Sequence, residues 1–127
     1  MPTPGNSLLL DTSVVVKHFR YPTAVVNKLA EYEELYLPQP ALGELYYGAY
    51  RSGLAQIERF LDAVDLLVAD KETSVFYGQI AAGLAMAGTP IPQNDIWIAA
   101  LARQTGLPVA TTDDHFDRVT NLAVLKW

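Results

Sequence analysis

The chain reads as an α/β protein: a mostly parallel central sheet of four to five short strands, with helices covering both faces. Three observations support this. Short apolar runs alternate with longer stretches of helical periodicity. Turn residues separate them, at Pro38, Ser52–Gly53, Gly88 and Gly106. Such strand–helix alternation is the pattern of a parallel sheet buried on both sides.

The elements follow in order. SLLLD (7–11) is a buried strand, and a helix begins near Thr12. Pro22 opens a helical stretch, PTAVVNKLAEYEE (22–34), because proline has no N–H to lose at a helix start. LYLP (35–38) is a short strand stopped by Pro38. ALGELYYGAY (41–50) is a helix ended by Ser52–Gly53, and LAQIERFLDAV (54–64) again has helical periodicity. LLVAD (66–70) is a third strand, and KETSVFYGQIAAGLAMAG (71–88) is a long helix of small residues closing at Gly88. The turn TPIPQ leads into NDIWIAALARQTG (94–106), a helix ending at Gly106. LPVATTD (107–113) is a fourth strand, DHFDRV (114–119) a short turn or helix, and LAVLKW (122–127) the last strand.

At 127 residues, half of them hydrophobic, the chain is expected to form one domain over 1–127 with a full core. It contains no cysteine, which excludes disulfides and thiolate metal sites and suits a reducing compartment. The start, MPTPGNS, is polar, and LLLDTSVVV (8–16) is interrupted by Asp11 and too short to span a bilayer. A soluble, cytoplasmic protein without a membrane partner is expected. The net charge of −5 argues against a general polyanion binder. Withdrawing four acids into a metal site, however, leaves ten acids against nine bases. An acidic chain of this kind can still take a nucleic acid.

In parallel sheets, sites form beyond the carboxyl ends of the strands. Asp11 ends the first strand, Asp70 the third and Asp113 the fourth, while Asp95 opens a helix after a loop. Each of Asp11, Asp95 and Asp113 can equally be a helix cap, since aspartate accepts hydrogen bonds at the positive helix end. Asn94 is itself a good cap, which leaves Asp95 inside the first turn. Asp70, followed by Lys71 and Glu72, reads as a cap or a solvated turn residue. Glu44 lies at the edge of the apolar face formed by Ala41, Leu42, Leu45, Tyr46 and Ala49, about 60° from Ala41 and about 40° from Gly48. A solvated glutamate needs no such clearance, so Glu44 either reaches into a tight site or covers a helix seam. Asp95 lies within about 40° of Ala99 and Ala102, which serve either close approach of the acid or helix packing.

Four carboxylates converging at one sheet edge would suit Mg²⁺ or Mn²⁺. Zinc would want histidine or cysteine, and only His18 and His115 are available. His18 reads as a polar helix residue, and His115 as one that caps or orients its turn.

In this arrangement the chain resembles the PIN-domain ribonucleases, specifically the VapC-type toxins of prokaryotic toxin–antitoxin pairs. LLLDTSVVV resembles the opening strand and first catalytic acid of that family, and ALGELYYGAYRSG the helix bearing its glutamate, with a small residue four positions later. PQNDIWIAALARQTGLPVATTDDHF is similar to the family segment in which an aspartate starts an alanine-rich helix. There a strand then ends in a threonine-x-aspartate turn followed by phenylalanine.

The resemblance implies a three-layer α/β/α fold and a Mg²⁺-dependent endoribonuclease. By position it assigns catalysis and metal binding to Asp11, Glu44, Asp95 and Asp113. Ser13 matches a small polar residue that hydrogen-bonds the site, and Thr111 the hydroxyl before the last acid. Asp114 falls where the family is variable and often basic, and Asp117 either helps through a water or faces solvent. The implied partners are an RNA substrate, a second copy in a homodimer and a cognate antitoxin. That antitoxin is expected to be a small DNA-binding protein whose tail lies in the active-site groove. Arg20, Arg51, Arg59, Arg103 and Arg118 are candidate phosphate contacts, each equally readable as solvated or ion-paired. YYGAY serves core or dimer packing, or stacks on a base.

Two other functions compete. One is a catalytically inactive PIN-fold scaffold or binding module. The other is a phosphoryl-accepting receiver or phosphohydrolase, which would want a lysine near a later strand end. DTS also lacks the second aspartate expected two residues after the first.

Overall fold

The computed structural model describes residues 5–53 and 55–127. The polar start MPTP and Leu54, the expected first residue of the fourth helix, lie outside the described residues. The elements are β1 (Ser7–Leu10), α1 (Thr12–Arg20), α2 (Pro22–Leu29), β2 (Glu34–Pro38), α3 (Gln39–Ser52), α4 (Ala55–Leu61), β3 (Asp65–Leu67), α5 (Lys71–Ala87), α6 (Gln93–Thr105), β4 (Val109–Thr111), a 3₁₀ turn (His115–Arg118) and β5 (Val124–Lys126).

The five strands form one sheet in the order β3-β2-β1-β4-β5, flanked by helices in the expected three layers. Every pairing is parallel, so the sheet is wholly rather than mostly parallel. β1 lies at its centre, and Leu8, Leu9 and Leu10 are fully buried there. From β1 the chain winds outward through β2 to β3 on one side, then returns to place β4 and β5 on the other. The order therefore reverses between β1 and β4, and a doubly wound sheet opens a crevice beyond the carboxyl ends at such a switch point. Leu10 pairs with Ala110, so the residues after these two strands emerge side by side.

Tertiary pairing shifted several expected boundaries. α2 stops at Leu29 instead of running to 34, because the backbone N–H groups of Glu33 and Glu34 both donate to the Asn6 carbonyl and Glu34 enters β2 opposite Ser7. Helical propensity over 30–34 loses to sheet pairing. β3 is Asp65–Leu67, shorter and earlier than expected, because Val68 and Ala69 leave the sheet and Asp70 caps α5. α6 begins one residue early at Gln93, with Pro92 rather than Asn94 in the N-cap position. α5 and α6 do close where expected, on Gly88 and Gly106 in the left-handed conformation glycine adopts at low cost. Among the described residues, no helix is long and apolar enough to cross a membrane.

Candidate active site at the carboxyl edge of the sheet

Asp11 sits between β1 and α1 in extended conformation, at the N-cap position of α1, yet its side chain makes no capping hydrogen bond. The carboxylate is buried and used differently. Ser13 Oγ donates to Asp11 Oδ2 at 2.7 Å, and Thr111 Oγ1 donates to the same oxygen at 2.8 Å. Thr111 Oγ1 also accepts the backbone N–H of Asp113 at 2.9 Å, so one buried hydroxyl links the acids that follow β1 and β4. Ser13 Oγ accepts the N–H of Thr112 at 3.0 Å, a second staple across the same crevice. Both hydroxyls bind Oδ2 and leave Asp11 Oδ1 available.

Asp95 stands in the first turn of α6, 8% exposed, and it too does not cap. Its helix is buried around most of its circumference over 95–102, through Ile96, Ile98, Ala99, Ala100, Leu101 and Ala102. That packing brings the acid close to the strand ends. His115 Nδ1 donates to Asp95 Oδ2 at 2.8 Å and lies 3.5 Å from Asp113 Oδ1. Burial raises the Asp95 carboxyl to about 6, the His115 hydrogen bond opposes that rise, and the charges of Asp11 and Asp113 add to it. A buried carboxylate facing two others is a group that favours a cation beside it.

Asp113 is half-buried, and Phe116, fully buried, anchors the 3₁₀ turn in the core. Sinking Phe116 fixes the turn that directs its neighbour His115 toward Asp95. His115 was expected only to cap or orient its own turn. It instead bridges to α6, and the signal for this in the sequence was slight: a histidine two residues after Asp113.

Glu44 is exposed on α3, where it accepts Thr12 Oγ1 at 3.1 Å. This sets it beside the β1–α1 junction but outside the tight group formed by Asp95, Asp113 and His115. A groove of about 240 Å³ between α1, α3 and α4 begins at Glu44 and has Val16, Phe19, Leu45 and Ile57 among its walls. The surplus acids of TTDDHFD are accounted for by Lys126 of β5, whose Nζ pairs with Asp114 and, at 2.8 Å, with Asp117. Core packing of YYGAY is realised only in part: Tyr46 is half-buried, whereas Tyr47 and Tyr50 are exposed. His18 is half-buried against the rings of Phe19 and Phe60.

The donor set fits a divalent cation. Asp95, Asp113 and His115 offer ligand atoms within 4.8 Å of one another, and Asp11, outside that group, acts on Asp95 through its charge. Carboxylates suit Mg²⁺ and Mn²⁺, and the imidazole is compatible with the latter.

A wholly parallel sheet with acids gathered at its switch point defines a class in which relatives can be sought. The chain belongs to the PIN-domain family, whose sequence model matches residues 8–122. Family membership removes the receiver and phosphohydrolase alternatives. Within the family, the chain is 32% identical to the tRNA(fMet)-specific endonuclease VapC of Shigella flexneri, over 94% of this chain and 96% of that one. Among solved structures it is similar to DNA-bound VapBC from Salmonella typhimurium, with 28% identity, a TM-score of 0.85, and 95% and 98% of the two chains covered. It is also similar to VapBC-5 of the VapBC family of toxin–antitoxin systems from Mycobacterium tuberculosis, with 26% identity, a TM-score of 0.77, and 96% and 99% covered.

Proposed function

We propose that the chain is the toxin of a toxin–antitoxin pair: a cytoplasmic endoribonuclease, one domain over 1–127, that hydrolyses RNA phosphodiester bonds with Mg²⁺ or Mn²⁺. The observation that carries this reading is Asp95, a buried carboxylate hydrogen-bonded to His115 and facing Asp11 and Asp113 at the switch point of the sheet. Asp11, Asp95 and Asp113 would hold the cation, with Glu44 completing the set from the rim. A bound divalent cation supplies charge stabilisation on the phosphate and an activated water.

The protein's own residues supply the geometry. Ser13 and Thr111 fix Asp11 through one oxygen and present the other. His115 orients Asp95, a positioning role that keeps one carboxylate oxygen engaged. Asp95 and Asp11 are buried, which suits single-stranded or looped RNA whose backbone can be splayed toward them.

The relatives named VapBC support a cognate antitoxin as partner. The groove beside Glu44 carries one acid, one base (Arg20) and an apolar lining that includes Val16, Phe19, Leu45 and Ile57, a surface suited to an amphipathic tail. A homodimer is part of the same reading, and the exposed Tyr47 and Tyr50 are available to it.

Replacing Asp95 by Asn removes the charge and keeps the shape. Asp95→Asn should abolish RNA cleavage and growth inhibition while leaving the circular dichroism spectrum unchanged. An unaltered cleavage rate in that variant would overturn the assignment.

A further inference from the structure

Five arginines are candidate phosphate contacts, and the structure separates them. Arg20 lines the groove at Glu44, Arg51 lies over the Tyr47 ring at 5.6 Å, and Arg59 lines a pocket beside Phe60. Arg103 and Arg118 line one cavity together, about 170 Å³ in volume, between α5, the end of α6 and the segment after the 3₁₀ turn. We propose that this cavity binds an RNA phosphate other than the one being cleaved, an inference that rests on the ribonuclease reading above.

Charge is the first argument. Neither guanidinium has a carboxylate within ion-pair distance among the described residues. The acids beside Arg118, Asp114 and Asp117, are both paired with Lys126, and Arg118 acts on Asp114 only from beyond ion-pair distance. Two guanidinium charges thus stand at one cavity without a direct ion pair among the described residues, in a chain with net charge −5.

Geometry is the second. Arg103 Nη2 donates to the Thr120 carbonyl, and Arg118 Nη1 donates to the Pro90 carbonyl at 2.9 Å. Each contact fixes a guanidinium by one N–H and leaves other donors of the fork for a ligand. Arg103 Nε is buried and has no hydrogen-bond partner. The wall opposite is built from Gln79, Gly83 and Ala87 of α5, which leave room for a phosphate group and several waters. A planar guanidinium fork matches phosphate oxygens better than an ammonium does.

Position is the third. Arg118 closes the turn that carries His115, and the Pro90 it grips belongs to the loop leading to Asp95. Arg103 follows Asp95 by eight residues on α6, about 12 Å along the helix axis, so the cavity lies within a few nucleotides of the acids along a bound strand.

The test is binding of a short single-stranded RNA to full-length Asp95→Asn protein, by fluorescence anisotropy across a salt series. Adding Arg118→Gln should weaken binding roughly tenfold, regardless of sequence, and flatten the salt dependence by about 0.7 in the log–log slope. Arg118→Lys should recover most of the slope. Arg103→Gln should act in the same direction, and because Arg118 is exposed its variants remain informative if the Arg103 variant is unstable. Unchanged affinity and slope in folded Arg118→Gln would overturn the proposal. So would inorganic phosphate raising the Tm of the wild type but not of Arg118→Gln while RNA affinity stays equal, which would assign the cavity to a free anion. Wild-type protein that cleaves no RNA with Mg²⁺ or Mn²⁺ would instead sink the ribonuclease reading, so the two failures are distinguishable.

Discussion

Two aspartates stand at the starts of the packed helices α5 and α6, and the fold uses them in opposite ways. Asp70, after β3, makes a full capping box with α5: the Thr73 N–H donates to Asp70 Oδ1 at 3.0 Å and the Asp70 N–H donates to Thr73 Oγ1 at 2.9 Å. Gln104 Nε2 of α6 also donates to Asp70 Oδ1, at 3.0 Å, and the bonds to this carboxylate, the Thr73 N–H foremost, lower the Asp70 carboxyl below its ordinary range. Asp95 starts the next helix, caps nothing, is buried, and is raised to about 6. The lesson is physical. A carboxylate whose lone pairs face backbone N–H groups is already satisfied, while one buried against other carboxylates is waiting for a cation.

The contrast predicts that the two residues fail on opposite axes, and the largest effect belongs to the site. Asp95→Asn should lower cleavage by about a thousandfold or more, the scale of removing a principal electrostatic group from an active site. The same change should leave the metal-free protein as stable as the wild type or more stable at pH 8, because it deletes a buried charge. A large drop in Tm with residual cleavage would erase the distinction between Asp95 and Asp70.

His115 sharpens the comparison by testing what orients the unsatisfied acid. Groups that orient a metal ligand typically cost about 10- to 100-fold in metal affinity or activity when removed. His115→Gln should therefore weaken Mn²⁺ binding in calorimetry by that factor without changing the fold. Equal affinity in both proteins would reduce the 2.8 Å bond to Asp95 to a packing detail.

Much of this contrast was legible in the sequence, and the parts that were not share a cause. The central strand could be read from Leu8, Leu9 and Leu10 because a strand buried on both faces must be apolar throughout. Asp70 reads as a cap or a solvated turn residue from the Lys71 and Glu72 that follow it, and the cap it makes is local, with Thr73 three residues away. The end of α2 could not, since it is decided by the Asn6 carbonyl, which reaches Glu33 and Glu34 from across the chain. His115 was missed for the same reason: its partner is twenty residues upstream and meets it only after α6 packs. Periodicity placed Glu44 at the edge of its helix face, but its exposure and its bond to Thr12 depend on how α3 meets α1. Local chemistry is visible in spacing, whereas contacts between elements become visible only in the fold.

Titration separates the two aspartates by sign. The Asp95 carboxyl sits higher in the folded protein than its ordinary 3.8, so between about 4 and 6 the folded state holds more protons than the unfolded chain. Its contribution to stability is fully present below the unfolded value and is lost as pH rises through about 6. Asp70 is shifted downward, so its contribution is present above 3.8 and is lost as pH falls through the folded value. The Tm of metal-free wild type, measured relative to Asp95→Asn, should therefore fall from pH 4 to pH 7. Cations must displace the Asp95 proton, so metal affinity should drop by up to about tenfold per unit below pH 6. A pH-independent affinity between 5 and 7 would mean that Asp95 is not a ligand.

The smallest effect is expected at the satisfied aspartate. Asp70→Ala removes the cap of α5 and frees the Gln104 amide, and losing a cap in a domain of this size should lower Tm by roughly 5 °C. Cleavage rate and metal affinity should stay within about twofold, because Thr73 and Gln104 hold Asp70 at the far side of α6 from the acid cluster's histidine bond. Asp70→Asn should recover part of the loss, since asparagine also caps but brings no charge to the helix end. If Asp70→Ala instead reduced metal binding as much as His115→Gln does, the start of α5 would belong to the site, and capping could no longer distinguish the structural aspartate from the functional one.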